Sequence, residues 1–187
     1  DVLGKSLLHM RERLQAIALD EQKRNWATAG MAELGNILRG SSDNSEELYF
    51  NVLSYLIKYV KANQGALYLA ENRDADTILK MVSCYAFNKK KFVNQEVAPG
   101  EGLVGQAYLE REIIFIKEVP KEYVRITSGL GDAPPRSVLI CPLLLNDEVF
   151  GILEMASFKE FEKFEQEFVK AATEQVASVI ASVKNNE

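Results

Sequence analysis

A glycine-rich stretch is the first feature of this sequence whose spacing could do chemistry. Gly100, Gly102 and Gly105 have the G-x-G-x-x-G spacing of loops that hold a dinucleotide pyrophosphate. Such a loop follows a buried strand and opens a long helix. Here residues 94–99, Asn-Gln-Glu-Val-Ala-Pro, offer little to bury, and the helix-like run that follows is only about two turns long. Glu118 lies at the interval expected of a ribose-binding acid, which keeps nucleotide binding open as the weaker alternative. The pattern favours glycines that serve a sharp turn.

Two cysteines and one histidine are the other reactive residue types. Cys84 and Cys141 lie in apolar, strand-like runs without C-x-x-C spacing, so they indicate neither a metal site nor a disulfide framework. We expect two buried thiols in a reducing compartment. His9 lies in helix-like sequence without the His-Glu-x-x-Arg-Thr-Pro surroundings of a kinase phosphoacceptor, and we interpret it as a surface residue. No cofactor is identified.

The composition limits the class of protein. The chain has 187 residues, a formal net charge of −5 and 47% hydrophobic residues, which favours one domain with extensions and disfavours a nucleic-acid partner. No apolar run is long enough to span a bilayer, and no signal peptide opens the chain. We expect a cytoplasmic location. A membrane segment upstream remains open, since the sequence begins at Asp1 within helix-like residues.

The first residues carry the apolar seam of a coiled coil. Its members recur at alternating steps of four and three: Leu3, Leu7, Met10, Leu14 and Ile17. Isolated helices with such seams are marginal in water, so we predict a parallel homodimer through this seam and the last helix of the chain.

The seam then stops in the polar stretch 20–25. The same register continues onto Glu21, Arg24 and Thr28, whereas a new apolar series runs through Trp26, Gly30, Leu34 and Leu38. This pattern indicates a register shift, which either serves to carry signals or only marks a solvated helix.

Alternating and helical periodicities predict the remaining elements. The helices are expected at about 45–63, 103–110 and from 162 onward, a strand at 113–116, and hairpins at 66–70 with 78–87 and at 138–145 with 149–157. Residues 120–136 are too rich in glycine and proline for regular structure.

Several of these segments together are similar to a known family. The runs Val-Ala-Pro-Gly-Glu-Gly-Leu-Val-Gly-Gln-Ala (97–107), Ile-Ile-Phe-Ile (113–116), Val-Leu-Ile-Cys-Pro-Leu (138–143) and Val-Phe-Gly-Ile-Leu-Glu (149–154) resemble, in order and spacing, the signatures of a GAF domain. The first residues, 3–14, resemble the end of a HAMP second helix. The resemblance divides the chain into a signalling helix, residues 1–40, and a GAF domain, residues 45–183.

The resemblance implies an α+β, PAS-like fold with a six-stranded antiparallel sheet. Helices would flank one face, and a small-molecule pocket would occupy the other, closed by the short helix and by residues 120–136. It implies a sensor or relay module of a bacterial signal-transduction protein such as a histidine kinase of a two-component system, with its output domain in the same full-length chain. The candidate pocket residues are aromatic walls with a few polar groups: Tyr85, Phe87, Tyr108, Phe115, Tyr123, Thr127, Ser128 and Arg136.

Alternatives remain within the same resemblance. The Asn-Lys pair and Asp-Glu of cyclic-nucleotide-binding members are missing at 155–166, and residues 120–136 lack the cysteine of bilin-attaching members. A methionine-sulfoxide reductase would use Cys84 and Cys141, which do not match that enzyme's cysteine cluster. A module that only dimerises, without a ligand, is the other alternative. We expect no catalytic activity, and the ligand is unknown.

Overall fold

The computed structural model describes residues 1–40, 44–86, 89–90, 95–120 and 134–185. In chain order its elements are α1 (Val2–Arg39), α2 (Ser45–Tyr59), β1 (Gln64–Arg73), β2 (Asp76–Ala86), β3 (Lys89–Lys90), β4 (Glu96–Val97), α3 (Gly102–Glu110), β5 (Ile114–Ile116), β6 (Ser137–Leu145), β7 (Glu148–Ser157) and α4 (Lys163–Asn185).

One antiparallel sheet organises these elements. The strands follow the order β3-β2-β1-β7-β6-β5, and the two-residue β4 pairs with β2 outside this path. The six-stranded antiparallel sheet and the α+β class predicted from the sequence are therefore confirmed, with β4 as an additional strand.

Tight turns close the two long hairpins. Asn146 and Asp147 join β6 to β7 with φ angles of 50° and 64°, a conformation that Asn and Asp tolerate better than most residues. Asp74 closes the β1–β2 hairpin with a φ of 53°. The hairpins predicted from alternating apolar residues are thus present, each with ends within a few residues of those expected.

The helices divide between the two faces of the sheet. Helices α2 and α4 contact one face and α1 packs on both of them, whereas α3 contacts β6 and β7 from the other side. We call these the helix face and the α3 face. On the helix face Leu53, Leu139 and Phe168 belong to one buried cluster. On the α3 face Val104 and Ile152 belong to a second cluster. The predicted division, with flanking helices on one side and the short helix on the other, is present.

Helix α1 changes its surroundings along its length. Its first half exposes large apolar side chains: Val2, Leu3, Leu7, Leu8, Met10, Leu14, Ile17 and Leu19. Its second half is packed, because Gly30, Leu34 and Leu38 are buried against α2 and α4. The polar stretch 20–25 that interrupts the predicted seam coincides with this change.

The two halves of α1 face different directions. Ile17 and Trp26 are nine residues apart, which in a regular helix is about two and a half turns. The extra half turn places the two side chains on opposite sides of the helix. Trp26 packs onto the domain, with its ring 4.8 Å from that of Tyr59 and 4.9 Å from that of Phe168. The exposed seam therefore points away from the side on which α1 packs.

Candidate ligand-binding face

Three polar side chains lie on the α3 face of the central strands. Ala66 of β1 is opposite Glu154 of β7, and on this face of β1 Ala66 is flanked by Gln64 and Tyr68. Gln64 and Tyr68 are therefore the two diagonal neighbours of Glu154, about 7–8 Å away between Cα atoms and within reach of long side chains. The three residues, which we call the polar triplet, surround one small side chain in an otherwise apolar surface.

The polar triplet is buried. The exposed fractions of Gln64, Tyr68 and Glu154 are 7%, 3% and 8%. Burial is the largest of the effects that raise the pKa of the Tyr68 phenol, and the nearby Glu154 carboxylate and Cys84 thiol raise it further. Tyr68 therefore stays a neutral hydroxyl, able to donate or accept a hydrogen bond.

The backbone register explains how these side chains come to share a face. Strand positions alternate between faces, so Gln64, Ala66 and Tyr68 point the same way. An irregularity in the pairing of β1 with β2 at Leu67/Tyr68 leaves Val82 without a partner and sets Tyr68 opposite Met81, which belongs to the same α3-face cluster.

The structure separates the residues that the sequence proposed for the pocket. Tyr85 and Phe115 belong to the helix-face cluster, where the Tyr85 ring is 6.3 Å from that of Phe50. Tyr108 packs on the α3 face. Arg136 is exposed, and its backbone N–H donates to the carbonyl of Ser157. The described residues of the set are thus not brought together in one place.

The other four candidates, Phe87, Tyr123, Thr127 and Ser128, lie outside the described residues. So do residues 121–133, most of the segment that was expected to close the pocket.

Sequence reasoning missed the polar triplet. Glu154 is an acid within the apolar run of β7, and that break in the pattern was a usable signal. Gln64 lies at the first position of β1, where a polar residue usually marks a loop, so its burial follows only from the sheet.

The glycine-rich stretch has a structural role in the turn before α3. Gly100 and Gly102 have φ angles of 84° and 60°, and a Cβ on Gly105 would lie 2.5 Å from the carbonyl oxygen of Ala98. The N–H groups of Gly100, Glu101 and Gly105 donate to carbonyls within the stretch. These amides are therefore occupied, and the interpretation as a turn is favoured over pyrophosphate binding.

The two cysteines lie on opposite faces of the sheet. Cys84 belongs to the α3-face cluster and Cys141 to the helix-face cluster. Their strands, β2 and β6, are separated by β1 and β7, so three strand spacings, about 14 Å, lie between them. This exceeds the reach of a disulfide.

The thiol of Cys141 has the surroundings of an unreactive group. Its Sγ lies 3.1 Å from Oγ1 of Thr173, which donates to the carbonyl of Lys170. Burial raises the pKa of this thiol to about 12, although the contact with Thr173 acts in the opposite direction. No cluster of His, Cys, Asp and Glu able to hold a metal ion occurs within the described ranges.

Two surface depressions lie away from the polar triplet. A groove of about 810 Å³ runs between α1 and α4, beside Arg24, Thr28 and Phe164. A smaller cleft of about 270 Å³ separates the end of α3 from the β6–β7 turn, beside Tyr108 and Asp147. Of the helices in the part of the chain that the structure describes, none is long and apolar enough to cross a membrane.

Comparison with known proteins identifies the fold family. The sequence model described as GAF domain matches residues 42–181. A GAF domain of A. aeolicus nlh2 in an inactive state superposes with a TM-score of 0.65 and 20% identity, covering 88% of this chain and 99% of that one. The GAF domain of an Acinetobacter phosphoenolpyruvate-protein phosphotransferase gives a TM-score of 0.67 at 17% identity, covering 84% and 94%.

An enzyme shares the same fold. Free methionine-R-sulfoxide reductase from Neisseria meningitidis, in complex with its substrate, gives a TM-score of 0.65 at 11% identity, covering 86% of this chain and 92% of that one. No curated protein matches the chain. Identities this low show a common fold and leave function to the site itself.

Proposed function

The chain belongs to the GAF domain family, and from that premise we propose that it is a sensor or relay module of a bacterial signal-transduction protein. In this proposal two copies pair through their helices and pass conformational changes between the sheet and an output domain in the full-length protein. The chain itself catalyses no reaction. A two-component histidine kinase is the proposed context and the cytoplasm the proposed location, in keeping with two buried cysteines that form no disulfide.

The observation that carries the proposal is the exposed seam of α1. Leu3 and Leu14 are 71% and 66% exposed. A helix with leucines at coiled-coil spacing is stabilised when a partner helix covers them. The seam lies on the side of α1 opposite to the side that packs on α2 and α4, so these helices of the same chain do not cover it. A second copy in parallel register supplies the same stripe.

The packing of the helices supports a relay. The half of α1 that follows the seam packs on α2 and α4, and α4 packs in turn on β6 and β7. Strand β7 carries Glu154 on its opposite side. A change on the α3 face therefore has a short mechanical route, through one strand layer, to the helices that enter and leave the domain.

The reductase alternative receives less support from the cysteines. A pair of thiols must meet to form a disulfide, whereas Cys84 and Cys141 lie on opposite faces. The raised pKa of Cys141 disfavours the thiolate that such chemistry needs.

The experiment that tests the pairing uses light scattering at tens of micromolar protein. We expect a dimer for the wild-type chain and a shift toward monomer for Leu7→Glu combined with Leu14→Glu, because charges would enter the seam. Leu109→Glu is the matched control, since Leu109 is a comparably exposed leucine on α3.

The double variant should keep the sheet signal in circular dichroism, because the seam does not contribute to the core. A monomeric wild type, or equal weakening by Leu109→Glu, would remove the proposal. Loss of the sheet signal would show that the seam serves folding instead of pairing.

A further inference from the structure

We propose that the groove between α1 and α4 receives helix α1 of a second copy of the chain, so that the two copies stay in contact beyond the polar stretch 20–25. This inference rests on the proposed pairing and deepens it, because it names the surface of the domain that meets the partner. In the opposite arrangement the two α1 helices separate at the polar stretch and the groove stays open to solvent.

The first support is that the groove continues the seam of α1 in the same register. Thr28 and Met31 lie eleven and fourteen residues after Ile17, about three and four turns of a regular helix, so both are on the side of the seam. Both line the groove, as does Arg24, which occupies the preceding seam position. A helix that lies along the exposed seam is therefore led directly into the groove.

The second support is the apolar floor of the groove. Ala27, Met31 and Phe164 are half-buried, Phe168 is buried and Ala171 is exposed. These side chains line a space of about 810 Å³ that no described residue of the same chain fills. An occupant that covers them removes apolar surface from water.

The direction of the two walls favours a parallel helix as the occupant. The ring of Phe164, at the start of α4, is 5.2 Å from that of Trp26. Further along both helices, a Cβ on Gly35 would lie 3.4 Å from Nε2 of Gln175. Helices α1 and α4 therefore run in the same direction. Helix α1 of a second copy that pairs in parallel runs the same way along both walls, as in a helical bundle.

The charges at the rim of the groove do not select a strongly charged partner. Both walls carry both signs, with Asp20, Lys23 and Arg24 on α1 and Lys163 and Glu167 on α4. An acidic or a basic partner would therefore meet like charges on each wall. In a parallel pair, the g positions of this seam, which include Asp20 and Ala27 beside the groove, face the e positions of the second copy. Those e positions are small or uncharged: Ala18, Asn25 and Ala32.

The third support is the small extent of the seam alone. From Leu3 to Ile17 the seam is about 21 Å long, and a strip of that length and about 10 Å width falls short of the roughly 800 Å² that each partner buries in a stable interface. Continuing the contact to Met31 doubles its length, and the wall formed by α4 adds a second surface. The groove therefore supplies contact area that the seam lacks.

Disulfide cross-linking within the dimer tests the inference. Thr28→Cys places a thiol at the seam register inside the groove, and Ala29→Cys, the matched control, places one at the next residue, which is exposed and does not line the groove. The native cysteines are buried. Under mild oxidation we expect most of the Thr28→Cys protein to become a covalent dimer and little of the Ala29→Cys protein to do so.

A second variant then fills the groove. Ala171→Trp adds a large side chain to the α4 wall and should reduce the cross-linking of Thr28→Cys about tenfold, the scale of an overpacked contact. Lys170→Trp is the matched control, because Lys170 is the exposed neighbour of Ala171 on α4 and does not line the groove. It should leave the cross-linking unchanged.

Light scattering on the same samples separates this inference from the pairing. A dimer in which Thr28→Cys cross-links no better than Ala29→Cys would show that the two α1 helices separate at the polar stretch, and would overturn the inference while leaving the pairing intact. Equal cross-linking in the presence of Ala171→Trp and Lys170→Trp would likewise overturn it. A monomer would instead reject the pairing itself.

Discussion

The ring of Tyr59 stacks on that of Trp26, with centroids 4.8 Å apart, and its hydroxyl donates to the carbonyl oxygen of Trp26 over 2.5 Å. This pair attaches α1 to the domain at the point where its exposed seam ends. Tyr55 adds a second such bond, from its hydroxyl to the carbonyl of Gly30. The entering helix is therefore held by side chains of α2 along about one turn.

Gly30 is the position most sensitive to added volume in this attachment. A Cβ there would lie 2.5 Å from Cε2 of Tyr59 and 2.8 Å from Cε2 of Phe168. Because Tyr59 is fixed by its hydrogen bond and its stacking, Gly30→Ala should lower the free energy of unfolding by about 1–3 kcal/mol in urea denaturation.

Gly35→Ala is the matched control within the same helix. Its Cβ would meet only the ends of two flexible side chains, Nη1 of Arg39 at 3.2 Å and Nε2 of Gln175 at 3.4 Å. Replacing glycine in a helix by alanine then stabilises by up to about 1 kcal/mol. Equal effects of the two substitutions would contradict the packing described at Gly30.

Cys141 should make the protein less stable at alkaline pH. Burial in the folded protein raises the pKa of its thiol from 9.0 to about 12, so the unfolded chain loses the thiol proton first as the pH increases. The stabilisation is complete below pH 9 and is lost toward pH 12, at about 1.4 kcal/mol per pH unit. Burial also raises the pKa of the Tyr55 phenol to about 12, and this shift likewise lowers the stability at alkaline pH.

Cys141→Ala separates these contributions in denaturation curves measured from about pH 8 to about pH 11. The variant should be less stable than wild type at pH 8, because it lacks the thiol, and should lose less stability as the pH rises. Parallel curves for the two proteins would mean that the thiol titrates normally in the folded state.

Much of the fold followed from local patterns in the sequence. The β6–β7 turn was predicted because Asn146 and Asp147 accept a positive φ, and the seam break at 20–25 was visible as polar residues in apolar positions. These features depend on neighbours in the chain, which the sequence displays directly.

The site was harder to predict because strand faces depend on register. Tyr85 and Cys84 are adjacent and lie on opposite faces, so an error of one position transfers a residue from one face to the other. The irregularity at Leu67/Tyr68 shifts the β1–β2 register and has no marker in the sequence. Burial of Gln64 depends on pairing with β7, far along the chain.

The polar break in α1 should determine whether the output follows the stimulus. Glu21, Arg24 and Thr28 are exposed and continue the register of the seam. Replacing them with Leu, Leu and Ile should extend the seam and fix one register, since a bias of about 1–3 kcal/mol is enough to switch such an element. In the full-length protein we expect the output activity to be fixed, on or off, with or without stimulus.

The matched control introduces an apolar residue at a position of α1 that lies outside the seam. Gln22→Leu adds an exposed apolar residue within the break, at a heptad position outside the seam, and should leave the response intact. A triple variant that responds to stimulus like the wild type would show that the break is only a solvated part of the helix.

Parallel pairing of α1 predicts which positions meet across the dimer, and disulfide formation measures this directly. Leu3→Cys chains and ¹⁵N-labelled Ile17→Cys chains are mixed under reducing conditions, allowed to exchange subunits and then oxidised mildly. The native thiols are buried and do not interfere. Glu12→Cys, on the outer side of the helix by the heptad, is the control for random collision. Disulfides that join only identical positions, well above the control, are the expected result; disulfides between Leu3→Cys and Ile17→Cys chains, or none above the control, would contradict the parallel dimer.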